Sequence, residues 1–278
     1  MASGPRVRRS GPLEWTREHL LAFVALLIFV FLLAPNVVML VMSFNQPDGK
    51  YNYVWHQFSL NAWAHPCAVG GMCASLGLSL EIGVVATIGA TILGTMVAFA
   101  VVRHRFRARS AINVLLFLPM AAPEVVMGAT LLTLFFNVVG PGSLGFWTIT
   151  IAHVMFSLSY VVVTVKSRLA GMDPTLEKAA ADLYATPRQT FLKVTLPLVA
   201  PGIAAAALLA FALSIDDYII TVLTAGTAET FPMFVWGSVQ RAVPPQIDVI
   251  GSMILLITMA GVAVSLGLGR FRAGRQRG

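Results

Sequence analysis

Apolar windows long enough to cross a bilayer recur six times along the chain, at 19–44, 75–102, 111–136, 143–165, 196–223 and 247–269. Crossing roughly 30 Å of hydrocarbon takes about 20 residues of helix, a length each window supplies. Backbone groups in lipid have no water to bond, so windows of this kind are restricted to helix. An all-α polytopic membrane protein with six transmembrane helices follows. Its membrane domain covers 19–269, preceded by a cytoplasmic segment 1–18 and followed by a basic tail 270–278. Composition agrees: the 278 residues are 57% hydrophobic and 11% charged, where a water-soluble domain is nearer a quarter charged.

The loops set the orientation. Of 19 Lys and Arg, only Lys50 and Arg241 fall on one side of the six-span arrangement; the other basic residues cluster before span 1, after spans 2 and 4, and at the end. The excess of positive charge marks the cytoplasmic side, which places both termini there. The net charge of +7 is therefore a consequence of topology. Nucleic acid is excluded as a partner, because a basic patch for it needs a soluble domain to carry it. The apolar run 20–41 is too long for a cleaved signal and has no small-residue cleavage site after it, so it is expected to stay as an anchor. On the outer side, Cys67 and Cys73 in HPCAVGGMC are either a disulfide closing a short loop or two unpaired thiols. His65 beside them makes too thin a set to assign a metal.

Catalytic and nucleotide motifs are missing. No G-x-x-x-x-G-K-[ST] occurs, and none of Lys50, Lys166, Lys178 and Lys193 follows a glycine-rich loop, so no phosphate cradle is expected. H-E-x-x-H and G-x-S-x-G are also absent. The chain is predicted to be a non-enzyme that binds no cofactor itself. No repeat in span length or motif points to an inverted-repeat secondary transporter.

The most punctuated polar stretch is DPTLEKAAADLYATPRQTFLKVTLPLVAPG, residues 173–202, inside a cytoplasmic loop at 166–195. Asp173 can cap a helix that starts at Pro174, and Leu176, Ala179, Ala180 and Leu183 form a narrow apolar stripe. Thr186-Pro187-Arg188-Gln189 is a capping box that starts a second short helix. Such helices either lie on the bilayer surface or bury their apolar edge in a partner. The segment resembles the signature loop of ABC-importer permeases (type I), through Lys178-Ala179-Ala180, Asp182-Leu183, Tyr184, Phe191 and Leu196-Pro197. The resemblance implies coupling helices, spanning Asp173 to Phe191, that dock on a separate ABC ATPase dimer where ATP is bound. It also implies a second homologous permease, an extracytoplasmic substrate-binding protein and a place in the bacterial inner membrane. The family's glutamate position is Lys178 here, with Glu177 one residue earlier. Its glycine position is Tyr184, where positive φ costs about 1 kcal/mol or more.

Over residues 75–269 the chain looks like the spermidine/putrescine subgroup. The resemblance rests on 103–107, 122–127, 145–147, 161–169 and above all Ser214-Ile215-Asp216-Asp217-Tyr218, and span 4 departs from it at Ser159. It implies import of a small cation such as a polyamine. Residue chemistry points the same way. Glu81, Glu124, Asp216 and Asp217 lie within spans that hold no Lys or Arg, and intramembrane acids face a cavity or a partner. Glu124 falls near the middle of span 3. Ser214, Asp217, Thr221 and Thr224 share one face of span 5, which assigns Asp217 to the path and leaves Asp216 against apolar neighbours. Thr150, His153, Ser157, Tyr160 and Thr164 form a matching stripe on span 4. It is either pathway, with Tyr160 or Tyr218 offering cation–π contact, or hydrogen-bonding glue between helices. Glu81 has no polar company and reads as an outer-interface residue, and His153 has no acid beside it in sequence. Gly83, Thr87, Ala90 and Gly94 predict close helix packing on span 2. Other cargo (ferric iron or a sugar), or a secondary transporter or channel, are the alternatives.

Overall fold

The computed structural model describes residues 12–104 and 107–275. Of the inward-facing charge set, Arg6, Arg8, Arg9, Arg105 and Arg277 lie outside them. The chain divides into two compact units: residues 1–70 with 241–278, and residues 71–240.

In the first unit α1 (Pro12–Met42) and α12 (Pro245–Arg275) pack together, with Gly251 of α12 lying against the Met39 side chain of α1. Between them in sequence come a two-residue hairpin, β1 (Asn45–Gln46) and β2 (Gln57–Phe58), and a single helical turn, α2 (Asn61–Ala64). The hairpin is a small exception to the all-α expectation. It is pinned by buried Asn45, whose amide donates to Asn52 Oδ1 at 2.7 Å and to the Val54 carbonyl at 2.8 Å.

The second unit is built on α3 (Met72–Arg103), α6 (Phe146–Ala170) and α9 (Leu196–Ile215). The face of α3 read as small is the packing face: Gly83, Ala90 and Gly94 are buried and Thr87 is half-buried. A Cβ at Gly94 would come within 2.6 Å of Val161 on α6, and one at Gly83 within 3.2 Å of Phe211 on α9. Without a hydrophobic drive between helices in lipid, such close approach provides the van der Waals contact that holds them. Ala90, Ala98, Val161, Val165, Val199 and Ala206 form the shared core.

Helices occur in all six expected windows, and in the sixth the apolar part of α12 is the shorter stretch Pro245–Gly261. Those at His19–Met42, Met72–Arg103, Phe146–Ala170 and Pro187–Ile215 are continuous and long and apolar enough to span. Window 3 is not one helix. α4 (Arg109–Ala121) and α5 (Glu124–Val138) meet at 105°. Ala122 is extended (φ −71°, ψ 138°) because it precedes Pro123, whose ring excludes it from helix. Window 5 also ends early. α9 stops at Ile215, and α10 (Ile219–Thr224) restarts after Asp216-Asp217-Tyr218. The 3-and-4 spacing assumed for one continuous face across 214–224 therefore does not apply. α5 and α10, the second halves of the two broken windows, pack on each other, with Gly128 against Ile220 and Leu223. A further helix, α11 (Phe231–Val239), lies against α3.

Gly94→Leu is expected to overpack the α3–α6 seam and destabilise the protein by about 1–3 kcal/mol. The check is the thermal midpoint in detergent, with Gly77→Leu, which meets open space, as the control.

Candidate functional site

The polar segment forms as its caps dictate. Asp173 Oδ1 accepts the Thr175 N–H at 2.9 Å and starts α7 (Thr175–Asp182). That bond, with the Thr175 side chain, holds the Asp173 carboxyl below the usual carboxylate range. The helix ends in a Schellman arrangement: Ala185 N–H reaches Ala180 C=O at 3.0 Å, and Tyr184 N–H reaches Ala181 C=O at 2.9 Å. This closure needs a left-handed residue, and Tyr184 supplies it at φ 59°. The strain expected at that position is thus present. Tyr184 is 96% exposed and Leu183 is 81% exposed. Leu176 is also exposed and no residue of α7 is buried, so the apolar stripe of Leu176, Ala179, Ala180 and Leu183 is not covered within this chain.

The second helix, α8 (Pro187–Thr190), has the full capping box: Gln189 N–H donates to Thr186 Oγ1 at 3.3 Å, and Thr186 N–H donates to Gln189 Oε1 at 2.9 Å. It is not separate from span 5 as the sequence suggested. It runs through a π-helical turn (Phe191–Thr195) into α9, giving one continuous helix, Pro187–Ile215. The wide turn closes Leu196 N–H onto Phe191 C=O, immediately before Pro197, which has no N–H to donate.

Glu177 and Lys178 part company. Lys178 and Asp182 are exposed. Glu177 turns inward, where both Arg103 guanidinium NH2 groups donate to its two oxygens and the Thr195 hydroxyl donates to Oε1. A bidentate, partly buried pair of this kind is stronger than an exposed one. It ties α7 to the end of α3 and to the π-turn. A cavity of about 430 Å³ lies alongside, lined by Phe99, Ala181, Pro187 and Phe191 among others, and Phe191 packs edge-on to Phe99 at 5.3 Å. Arg103 and Thr195 escaped sequence reasoning. Arg103 carried a visible charge but was accounted for by topology, and a threonine at a helix start has no distinguishing spacing.

Four of the expected path residues converge in one buried cluster. The His153 ring nitrogens lie 2.7 Å from Ser214 Oγ and 2.9 Å from Thr221 Oγ1, and His153 Nε2 is 3.3 Å from Asp217 Oδ2. Asp217 Oδ2 also accepts the Thr221 N–H and hydroxyl, both at 2.8 Å. His153 therefore has the acid partner that sequence order did not place beside it. The chain break at 216–218 swings Asp217 back over the start of α10, where it caps the helix. On α6 the stripe is core-facing: Thr150, His153 and Ser157 are buried, and Tyr160 packs on Phe156 at 5.3 Å. Of this stripe His153 alone, among the described residues, bonds across to α9 and α10, while the Thr150 hydroxyl donates to Phe146 C=O within α6.

The acids are distributed differently from the helical-face reading. Asp217 is 9% exposed and fully engaged. Asp216, expected against apolar neighbours, is exposed at the end of α9. Beside it in sequence, Tyr218 packs on Trp236 at 5.5 Å. Glu124 is exposed at the first position of α5, directly after the sharp bend, and Glu81 is exposed on α3. Each broken window thus restarts at an exposed acid or just after one. Neither cysteine is free: Cys67 and Cys73 are both disulfide-bonded.

The chain is similar to known proteins. Residues 90–277 match the family described as binding-protein-dependent transport system inner membrane component. The putrescine transport system permease protein PotI of Escherichia coli K12 is 39% identical over 238 residues, covering 84% of each chain. The spermidine/putrescine permease PotC of Haemophilus influenzae is 34% identical over 239 residues, covering 86% of this chain and 91% of its own. Among solved structures, a bacterial ABC transporter that imports alginate superposes with a TM-score of 0.66 at 17% identity, over 93% of this chain and 99% of that one. The inward-facing MetNI methionine transporter gives 0.57 at 14% identity, over 73% and 95%. The fold, the capped polar segment and these relatives agree: the chain belongs to the family of inner-membrane components of binding-protein-dependent transport systems.

Proposed function

We propose that this protein is a permease subunit of an ATP-driven importer that carries putrescine or a related polyamine across the bacterial inner membrane. Both termini are cytoplasmic in this reading. A pair of ABC ATPase subunits docks on Asp173–Phe191, a second homologous permease completes the path, and an extracytoplasmic binding protein delivers the cargo. ATP is bound by the ATPase subunits.

The exposed Leu183-Tyr184 pair carries the proposal. A tyrosine held at positive φ and almost wholly in solvent, on a helix with no buried residue, is costly in an isolated chain and suits a pocket in a partner. Glu177 fixes that tip to α3 and to the long helix Pro187–Ile215, so force applied at the tip reaches Asp216. Identity to PotI and PotC supports the polyamine cargo. The chemistry at the helix breaks supports it too. Exposed Glu124 and Asp216 have no basic partner among the described residues, and the Tyr218–Trp236 pair offers aromatic faces to an ammonium. In this reading Asp217 and His153, with Ser214 and Thr221, hold the path wall in place, and Asp216 and Glu124 meet the cargo. Tyr160 lies behind that wall.

Four outcomes test this. Tyr184→Ala is expected to weaken ATPase co-purification by about tenfold or more. Tyr184→Gly is expected to do the same while raising the thermal midpoint, because it relieves about 1 kcal/mol of backbone strain; undiminished docking in both would remove the proposal's support. Glu177→Gln is expected to leave docking intact but uncouple ATP hydrolysis from labelled putrescine uptake in proteoliposomes. Asp216→Asn and Glu124→Gln are each expected to reduce uptake about tenfold at unchanged thermal midpoint, while Asp217→Asn lowers the midpoint. Uptake that is inhibited by a sugar or ferric iron but not by spermidine would overturn the polyamine cargo.

A further inference from the structure

We propose that the groove between α1 and α12 binds an aminophospholipid of the outer leaflet, with its ammonium on Asp248 and its phosphate near Lys50 and Arg241. The leaflet rests on the orientation proposed above; the groove and its chemistry do not.

The groove is a cavity of about 590 Å³ within the first unit. Phe31, Pro35 and Val38 of α1 line its apolar length, and Asn52, Tyr53 and Asp248 line its polar end. The polar end is at Met42, because Asn52 Nδ2 donates to the Met42 carbonyl at 2.9 Å. From Phe31 to Met42 a helix rises about 16 Å, close to the thickness of one leaflet's hydrocarbon. α1 is apolar and exposed within this chain over nearly all of 19–41. An acyl chain therefore matches the groove in both chemistry and length.

The polar end is a built site. Asp248 Oδ2 accepts from Asn52 Nδ2 at 2.7 Å, and Asn52 Oδ1 accepts from buried Asn45 at 2.7 Å. Two buried amides thus fix the carboxylate. No Lys, Arg or His forms an ion pair with Asp248 among the described residues. Carboxylates at such depth face a cavity or a partner, and a lipid ammonium is a partner of the right charge for the oxygen that Asn52 leaves open. A phosphate then needs positive charge nearby. Val243 donates to the Lys50 carbonyl at 2.9 Å and accepts the Asn52 N–H at 3.0 Å. This backbone pairing sets Lys50 and Arg241 each two residues along the chain from a groove-lining residue, Asn52 and Val243. They are the only two basic residues on the outer side of the proposed topology. Tyr51 and Tyr53 stack beside them at 5.5 Å, which is the aromatic signature of a headgroup boundary. A zwitterion fits this arrangement. A purely anionic headgroup would meet Asp248, and a free diamine would leave the acyl-length groove unused.

The test uses the assembled transporter, equilibrated with vesicles of equal phosphatidylethanolamine and phosphatidylglycerol, released and analysed by native mass spectrometry. Phosphatidylethanolamine is expected to be retained about tenfold over phosphatidylglycerol. Asp248→Asn should bring the two to parity, and Lys50→Gln with Arg241→Gln should lower retention of both. Val38→Trp, which fills the groove without changing charge, should remove the bound lipid. A ratio unchanged in Asp248→Asn overturns the proposal. So does a photocrosslinker at position 38 that captures polypeptide in place of phospholipid. ATPase co-purification and ATP-dependent uptake, measured on the same preparation, report separately on the transport function.

Discussion

Everything in this chain follows from one constraint: in hydrocarbon, each backbone N–H and C=O must find its partner within the protein. Long helices meet it without help, and four do so here. Where the helix is interrupted, the freed groups must face protein or water. The second unit has two such interruptions in its membrane windows, at Ala122-Pro123 and at 216–218. Both fall next to acids. Asp217 spends its carboxylate on the freed amides of α10, while Asp216 and Glu124 remain exposed. The same breaks that need solvation therefore also carry exposed negative charge.

A second consequence is mechanical. Because the π-turn absorbs Pro197, the helix from Pro187 continues unbroken to Ile215, about 43 Å at 1.5 Å per residue. That is close to the full thickness of a bilayer with its headgroups. Glu177, gripped by Arg103 and Thr195, couples α7 to this rod at one end, and Asp216 sits at the other. Packed cores and rigid helices transmit displacement with little loss. Gly83 and Gly94 on α3 leave room for the Phe211 side chain of the rod and the Val161 side chain of its neighbour α6.

Much of this was legible in the sequence. Span positions followed from apolar length, the caps at Asp173 and Thr186 from residue type, and the strain at Tyr184 from a missing glycine. The Gly94 seam followed from small residues spaced at helical intervals. The rest depended on tertiary placement. Helical spacing assigned Asp217 to the path and Asp216 to an apolar face, because it assumed an unbroken helix through 216–218. The His153–Asp217 contact joins residues 64 apart in the chain, beyond any local pattern. Prolines misled in both directions. Pro123 broke a window that apolar length alone joined, and Pro197 failed to break a helix that it was expected to open. Pro201 also lies inside α9.

The central claim is that motion received at Asp173–Phe191 drives a cation past the acids at the helix breaks. The most direct measurement is uptake of labelled putrescine into proteoliposomes containing the assembled transporter and its binding protein. ATP and ion gradients are varied independently. The account predicts uptake that requires ATP, persists when every ion gradient is collapsed, and stops when the 173–191 segment is deleted. Uptake driven by an ion gradient without ATP, or undiminished by that deletion, would contradict it.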